Sequence, residues 1–279
     1  MNQPPTSGRP DCPRCRGAGI EVKVSGGEFA RAEVCGCVPV CPVCDGTGRV
    51  DLLQDGHPAV ARCRCRILFD RAALFERAQI PARHAKSTLE SFDHRTIEGA
   101  GKGFTKVWAW LEQFKPGSEN RGLVLWGKVG RGKTHLLAAL LRELVFRHGV
   151  EARFIEFSRL LLLLKEGYEK GVSDAPVLAE ISETPVLAID ELGKGRLTEW
   201  ELRVIDDVVS RRYNAMTCTL FTTNYTPAIA TGSLPTNLAT GIELAQSLGD
   251  RVGDRVYSRL REMGTFVEMG GPDYRELRG

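Results

Sequence analysis

The sequence predicts an α/β fold with a parallel sheet covered by helices on both faces, preceded by a small cysteine-rich domain. Three observations predict it. Apolar runs of strand length alternate with runs of helical length from residue 121 onward, the pattern of βα units. One strand–helix junction carries a glycine-rich loop. Eight of the nine cysteines fall before residue 66.

The loop is the most informative stretch. Residues 127–134 read Gly127-Lys128-Val129-Gly130-Arg131-Gly132-Lys133-Thr134, which fits G-x-x-x-x-G-K-[ST]. An apolar run, 121–126, precedes it, and His135 opens a run of helical composition to Val145. Glycines let the backbone curl so that successive N–H groups point at phosphate oxygens. The following helix adds its positive end. In this pattern Lys133 reaches the β- and γ-phosphates of a nucleoside triphosphate, and the Thr134 hydroxyl ligates Mg²⁺.

Other strands and helices order themselves around that loop. Residues 66–80 have helical spacing, stopped by Pro81, and a second helix fits Phe104 to Phe114. Residues 152–157 read as a strand, and Ser158 as the N-cap of a helix running to Lys170. Thr184 to Glu191 is an apolar strand ending in two acids. A carboxylate there holds Mg²⁺ through water and its neighbour polarises the attacking water. Asp190 is assigned to the metal and Glu191 to general base. A helix from Glu199 to Tyr213 and a strand from Cys218 to Thr223 follow, ending at Asn224, a polar residue suited to the γ-phosphate or the lytic water. Lys133, Asp190, Glu191 and Asn224 all map to the carboxyl edge of the sheet, where such folds bind ligands.

The cysteines form two copies of one pattern. Cys12-Pro-Arg-Cys15-Arg-Gly-Ala-Gly and Cys41-Pro-Val-Cys44-Asp-Gly-Thr-Gly are each followed by a C-x-C, Cys35/Cys37 and Cys63/Cys65. Four thiolates make a tetrahedral Zn²⁺ site. A module this short buries too little apolar surface to fold without such a staple. The spacing favours one site from Cys12, Cys15, Cys35 and Cys37 and another from Cys41, Cys44, Cys63 and Cys65. A crossed set fits the same spacings. Disulfides and C-x-x-C redox chemistry are the competing readings. Cys218, alone in an apolar run, reads as a buried strand residue.

Composition excludes some classes. Of 279 residues, 42% are hydrophobic and 26% charged, as in ordinary globular proteins. A net charge of +3 is too mild to argue for nucleic acid alone. The first residues lack the apolar core of a secretory leader. The longest apolar run singled out, Leu160–Leu164, is far too short to span a bilayer. The expectation is a cytoplasmic protein with no membrane contact.

Taken together, the chain from residue 80 onward resembles the AAA+ ATPases of the DnaC/DnaI helicase-loader group and the related IstB transposition helpers. The resemblance is carried by 80–92 (Ile-Pro-Ala-Arg-His-Ala-Lys-Ser-Thr-Leu-Glu-Ser-Phe), the loop with Thr134-His135-Leu136, and Asp190-Glu191-Leu192-Gly193. It is also carried by Arg212-Tyr213-Asn214 before Thr222-Thr-Asn-Tyr225, and by 253–263. The C-P-x-C-x-G-x-G elements are similar to the zinc modules of DnaJ-type chaperones. The resemblance implies a three-layer α/β/α domain with a five-stranded parallel sheet. It divides the chain into zinc modules (1–66), a helical connector (67–85) and the ATPase domain (86–279).

The resemblance also implies ATP with Mg²⁺ and self-association through the ATP sites, with His135 beside the nucleotide. An arginine finger would reach a neighbour's γ-phosphate, Arg259 by position, with Arg255 second. Arg275 would sense nucleotide. Single-stranded DNA would lie on Arg159, Lys165, Tyr168 and Lys170, although the apolar run beside them points to burial. The partner so implied is a replicative helicase hexamer. A transposition helper on duplex DNA and a zinc adaptor with nucleotide as a switch are the alternatives. After Asn224 little chain remains for a separate helical lid, and residues 225–241, rich in Thr, Pro and Gly, read as loop.

Overall fold

The computed structural model describes residues 3–24, 26–169, 175–195, 197–227 and 247–276, with the side chains of Tyr168 and Glu169 left out. The chain divides into two compact units, Met1–Lys86 with Arg142–Glu151, and Ser87–Leu141 with Ala152–Gly279.

In the first unit each cysteine pattern brackets an antiparallel hairpin. β1 (Ile20–Lys23) pairs with β2 (Arg31–Val34), and β3 (Arg49–Gln54) with β4 (His57–Arg62). The second hairpin turns on Asp55-Gly56, both at positive φ. That is the two-residue turn whose twist suits paired strands. α1 (Arg66–Arg77) follows directly from Cys65 and buries Leu68, Ala72 and Phe75. It ends before Pro81, where Gln79 takes a left-handed conformation. The Phe75 ring stacks on Phe146 with centroids 5.1 Å apart.

The second unit is built on one sheet. Its elements are α2 (Ala100–Gln113), β5 (Gly122–Trp126), α3 (Lys133–His148, whose last turns belong to the first unit), β6 (Ala152–Glu156), α4 (Phe157–Glu169) and α5 (Ala175–Glu183). Then come β7 (Val186–Asp190), α6 (Glu199–Asn214), β8 (Cys218–Thr223), α7 (Leu248–Val252), α8 (Asp254–Met263) and β9 (Gly264–Glu268). The five strands run in the order β6-β7-β8-β5-β9, all parallel. Every residue of β7 and β8 is buried, so the sheet is covered on both faces as parallel sheets are. One core joins Ile155, Leu187, Ile189 and Phe221 of the strands to Leu160 and Leu164 of α4, Ile205 of α6 and Leu260 of α8.

Several expected boundaries differ, and α1 for one ends at Arg77 where the spacing ran to residue 80. α2 begins at Ala100, not Phe104. Gly101 and Gly103 hid its first turn, and Gly103 is small because Glu268 and Met269 pass close by. Ser158 is not an N-cap: it lies inside α4, and its hydroxyl donates to Glu156 Oε1 at 2.6 Å. α5, β9 and the four hairpin strands had no counterpart among the expected elements. Residues 228–241 of the expected loop lie outside the described residues, as does Lys170. Cys218 is buried as expected.

The sheet's far edge is fastened by a buried cation. Arg212, at the end of α6, has 0% exposure. Its guanidinium donates to the carbonyls of Ile181, Ser182, Thr184 and Cys218 and to Thr219 Oγ1, at 2.6–3.2 Å. The first three carbonyls lie at the C-terminal end of α5, the negative end of a helix dipole. Burial pushes its pKa down to about 10, still charged at neutral pH. Arg212→Ala removes the donors and strands buried acceptors, so denaturant unfolding should show a loss of about 3–5 kcal/mol. A change below about 1 kcal/mol would show that the carbonyls are satisfied without it.

Candidate functional site

The carboxyl edge of the sheet collects the chemistry. Asp190 ends β7, is 6% exposed, and accepts from the Thr134 hydroxyl at 3.1 Å to each oxygen. It also accepts from the Thr222 hydroxyl of β8. Burial raises its pKa to about 6, against the pull of the Thr222 and Thr134 hydroxyls. Lys133, 7% exposed, folds back on its own loop and donates to the carbonyls of Gly127 (2.7 Å) and Lys128 (2.8 Å). Burial pulls its pKa down to about 8. Asp190 opposes that shift, and Arg131 and Arg275 add to it.

Glu191 follows with φ of 58°, a left-handed conformation rare for a glutamate. Its N–H donates to Thr222 Oγ1 at 2.9 Å, and its carboxylate pairs with Lys194. Lys194 also lies 3.6 Å from Glu156 Oε1 at the end of β6. Strain held at a catalytic candidate in this way is typical of functional sites. Asn224, one residue past β8, is exposed at the same edge.

The glycine loop is shaped by its neighbours. A Cβ on Gly130 (φ 78°) would strike the Asp273 carboxylate, and one on Gly132 (φ 73°) the Phe92 ring. Tyr274 donates its N–H to the Gly130 carbonyl at 3.0 Å and its hydroxyl to the Asp93 carbonyl at 2.7 Å. Arg131 reaches the Met269 carbonyl. Val129 is exposed at the loop's crown. His135 is engaged with the segment before α2: its Nε2 donates to the Thr88 carbonyl at 3.0 Å, and its ring tilts against Phe92. The tail residue Arg275 is exposed. Sequence reasoning gave Phe92, Asp273 and Tyr274 no role of their own, because that role comes from contacts across the fold. Thr222 and Lys194 sit inside or beside motifs already noted, and that proximity was the available signal.

The arginines of α8 part company. Arg259 is held by α6, donating to Asp206 Oδ1 (2.9 Å) and Ser210 Oγ (2.5 Å), with 20% of its side chain exposed. Arg255 is 71% exposed and lies 3.6 Å from Asp206. Arg251, not singled out in the sequence, donates to the Gly193 carbonyl and lies over the Tyr225 ring. On α4, Arg159 and Lys165 are exposed, while Leu160, Leu161 and Leu164 are buried.

In the first unit the cysteines gather as two groups, Cys12/Cys15/Cys35/Cys37 and Cys41/Cys44/Cys63/Cys65, each with its sulfurs within 4.8 Å of one another. The closest pairs stand 3.4–3.8 Å apart. That is far beyond the ~2.05 Å of a disulfide and near the ~3.8 Å edge of a tetrahedron with 2.3 Å metal–sulfur bonds. Four soft thiolate donors per group fit a zinc ion. Thr134 and Asp190 likewise offer oxygens of the kind a magnesium ion takes beside phosphates.

The model of the family described as "IstB-like ATP binding protein" matches residues 69–252. The chain belongs to this family. The replicative helicase loader DnaC of Escherichia coli K12 is 28% identical to this chain over 151 residues, covering 54% of this chain and 60% of DnaC. A putative ATP-binding protein of an insertion sequence in Mycobacterium tuberculosis is 27% identical over 209 residues, covering 74% of this chain and 75% of that protein. The crystal structure of the DnaC helicase loader superposes with a TM-score of 0.56 at 26% identity, over 67% of this chain and 99% of that one. AMPPCP-bound DnaA from Aquifex aeolicus shares the fold, with a TM-score of 0.51 at 23% identity. The second unit is thus an AAA+ fold in an ATP-binding family. No described helix is long and apolar enough to cross a membrane.

For this IstB-like protein the cost of burying Asp190 is measurable. Its folded pKa, about 6, lies above the ordinary carboxylate value, so ionising it costs stability. The penalty is absent below about pH 4, grows to pH 6 and is then constant at ~3 kcal/mol. Asp190→Asn should therefore raise the melting temperature of the nucleotide-free protein at pH 7.5, with the gain shrinking towards pH 4. A gain independent of pH would contradict the buried-charge account.

Proposed function

We propose that this protein is an ATP-dependent loader of a replicative helicase in DNA replication. The observation that carries the reading is the single sheet edge holding Lys133, Thr134, Asp190, Glu191 and Asn224, in a chain related to a named helicase loader. The aligned regions span 60% of DnaC and 40% of the Bacillus subtilis loader DnaI, so partner and substrate belong to the proposal. So does the division into zinc modules at 1–66, connector at 67–85 and ATPase domain at 86–279.

ATP would bind along Gly127–His135, with the loop amides and Lys133 on its phosphates. Lys133 then exchanges the Gly127 and Lys128 carbonyls for phosphate oxygens. Magnesium, held by Thr134 and Asp190, would offset phosphate charge. Glu191 orients and deprotonates water once its carboxylate leaves Lys194, and Asn224 is placed to contact the γ-phosphate. Hydrolysis would complete at an interface between copies of the chain. The exposure of Arg255 supports it as the guanidinium offered to the neighbour, because Arg259 is committed to α6. Arg275 would read the nucleotide's state. The zinc modules would grip the helicase, and single-stranded DNA would lie on α4 at Arg159 and Lys165, with Tyr168 and Lys170 beyond. Cytoplasmic location follows from that work.

Glu191→Gln keeps the shape of the site and removes the base. ATP turnover should fall at least ~100-fold while ATP binding stays intact. Normal turnover in this variant would overturn the assignment.

A second reading is a transposition helper on duplex DNA. It is favoured by the breadth of the match to the insertion-sequence protein, which covers 74% of this chain. ATP-dependent assembly on duplex DNA without helicase would select it. A nucleotide-switched zinc adaptor has no comparable observation behind it.

A further inference from the structure

The two cysteine modules are copies in pattern but not in what surrounds the metal-type cluster. Three positions are fixed by the repeat: the residue after C-x-x-C-x-G-x-G, the residue before C-x-C, and the residue after C-x-C. In the first module they are Ile20, Val34 and Val38. In the second they are Arg49, Arg62 and Arg66. Ile20 and Val34 are direct cross-strand partners, with Ile20 fully buried. Arg49 and Arg62 hold the matching cross-strand register, and Arg66 begins α1.

This replacement is unfavourable without a counter-charge. Like charges directly opposite on paired strands repel, and a cation in the first turn of a helix opposes the helix dipole. No acidic residue lies in that turn. The three arginines, with Thr47 and Gly48, line a cleft of ≈ 510 Å³. No carboxylate is on its walls. Gly48 is left without a side chain where Arg66 crosses it, since a Cβ there would meet Arg66 Cδ at 2.4 Å. Arg62 also pairs with Asp70 at 2.7 Å, and the Arg66 guanidinium lies over the Phe69 ring. Among the described residues neither Arg49 nor Arg66 has a carboxylate partner.

We propose that this arginine cleft of the second module binds a backbone phosphate of a single-stranded nucleic acid. Guanidinium forks match phosphate oxygens bidentately. The cleft is open, with Arg62 69% exposed, which suits a passing strand better than an enclosed free ion. Arg62 also borders a second cleft of ≈ 760 Å³, where Arg31 and Arg77 stand beside Asp70 and Glu76, so the carboxylate-free cationic wall is confined to the first cleft. This site is separate from the nucleotide loop and does not depend on the ATPase reading.

The first module supplies the test substitution. Arg49→Ile, Arg62→Val and Arg66→Val together give the second module the side chains that its copy already tolerates. A charge-preserving triple lysine variant guards against loss by misfolding. Zinc content and melting temperature check both. Binding of a fluorescent single-stranded oligonucleotide to the full-length protein is measured across a salt series, with inorganic phosphate as competitor. The apolar triple should bind at least tenfold more weakly. Its log–log salt slope should fall by ~0.7 for each phosphate that is no longer neutralised. The lysine triple should keep most of the slope. Unchanged affinity and slope in a correctly folded apolar triple would overturn the proposal. So would inorganic phosphate filling the cleft while oligonucleotide affinity is the same in all variants, which would mark a free-anion site. Loss of helicase binding alone would assign the arginines to an acidic protein surface instead.

Discussion

Everything at the nucleotide edge depends on one buried carboxylate. Asp190 sits where β7 ends, and the hydroxyls of Thr134 and Thr222 both point into it. Through those two bonds the glycine loop after β5, the end of β7 and the end of β8 are held in one register. The parallel sheet makes this arrangement available because it aligns the carboxyl ends of its strands. The buried position makes it expensive, and the cost is visible in the raised pKa of Asp190 and the lowered pKa of Lys133. The polar groups of this edge satisfy one another, Lys133 on carbonyls and Glu191 on Lys194. A triphosphate has to offer better partners than these.

The first unit solves a different problem. Each cysteine group is its own small cluster, joined by Val50 in the second module, and the first hairpin adds little beyond Ile20 and Ala30. Two hairpins with so little apolar surface of their own to bury cannot offset the entropy of ordering them. Thiolate–metal bonds fill that gap when zinc is bound. The second unit needs no such device, since its buried strands give it a continuous core.

How much of this was legible in the sequence follows from what each feature rests on. The loop, Asp190–Glu191 and the cysteine groups are local patterns with fixed spacings, and the structure brings those residues together as the spacing implied. Strands β5 to β8 were legible because buried parallel strands read as unbroken apolar runs. β9 was hidden because Gly264-Thr-Phe-Val-Glu268 has neither such a run nor a clean alternation. The Asp55-Gly56 turn is a readable hairpin signal, overshadowed by the cysteines on either side. Ser158 misled because a hydroxyl before an apolar run caps helices often, yet here it bonds Glu156. Arg259 matched a motif position, but only the fold shows that Asp206 and Ser210 hold it. The tail contacts of Asp273 and Tyr274 on the loop join residues more than a hundred positions apart, and no local pattern encodes them.

The central claim is that an ATP-binding AAA+ unit and two zinc modules act together on a replicative helicase. Native mass spectrometry of the full-length protein with the host's replicative helicase tests it most directly, with and without ATP and a zinc chelator. The account predicts a defined complex that carries two zinc ions per chain of this protein and is lost when the chelator removes them. A helicase that stays unbound in every nucleotide state, while the protein assembles with ATP on duplex DNA, would contradict it.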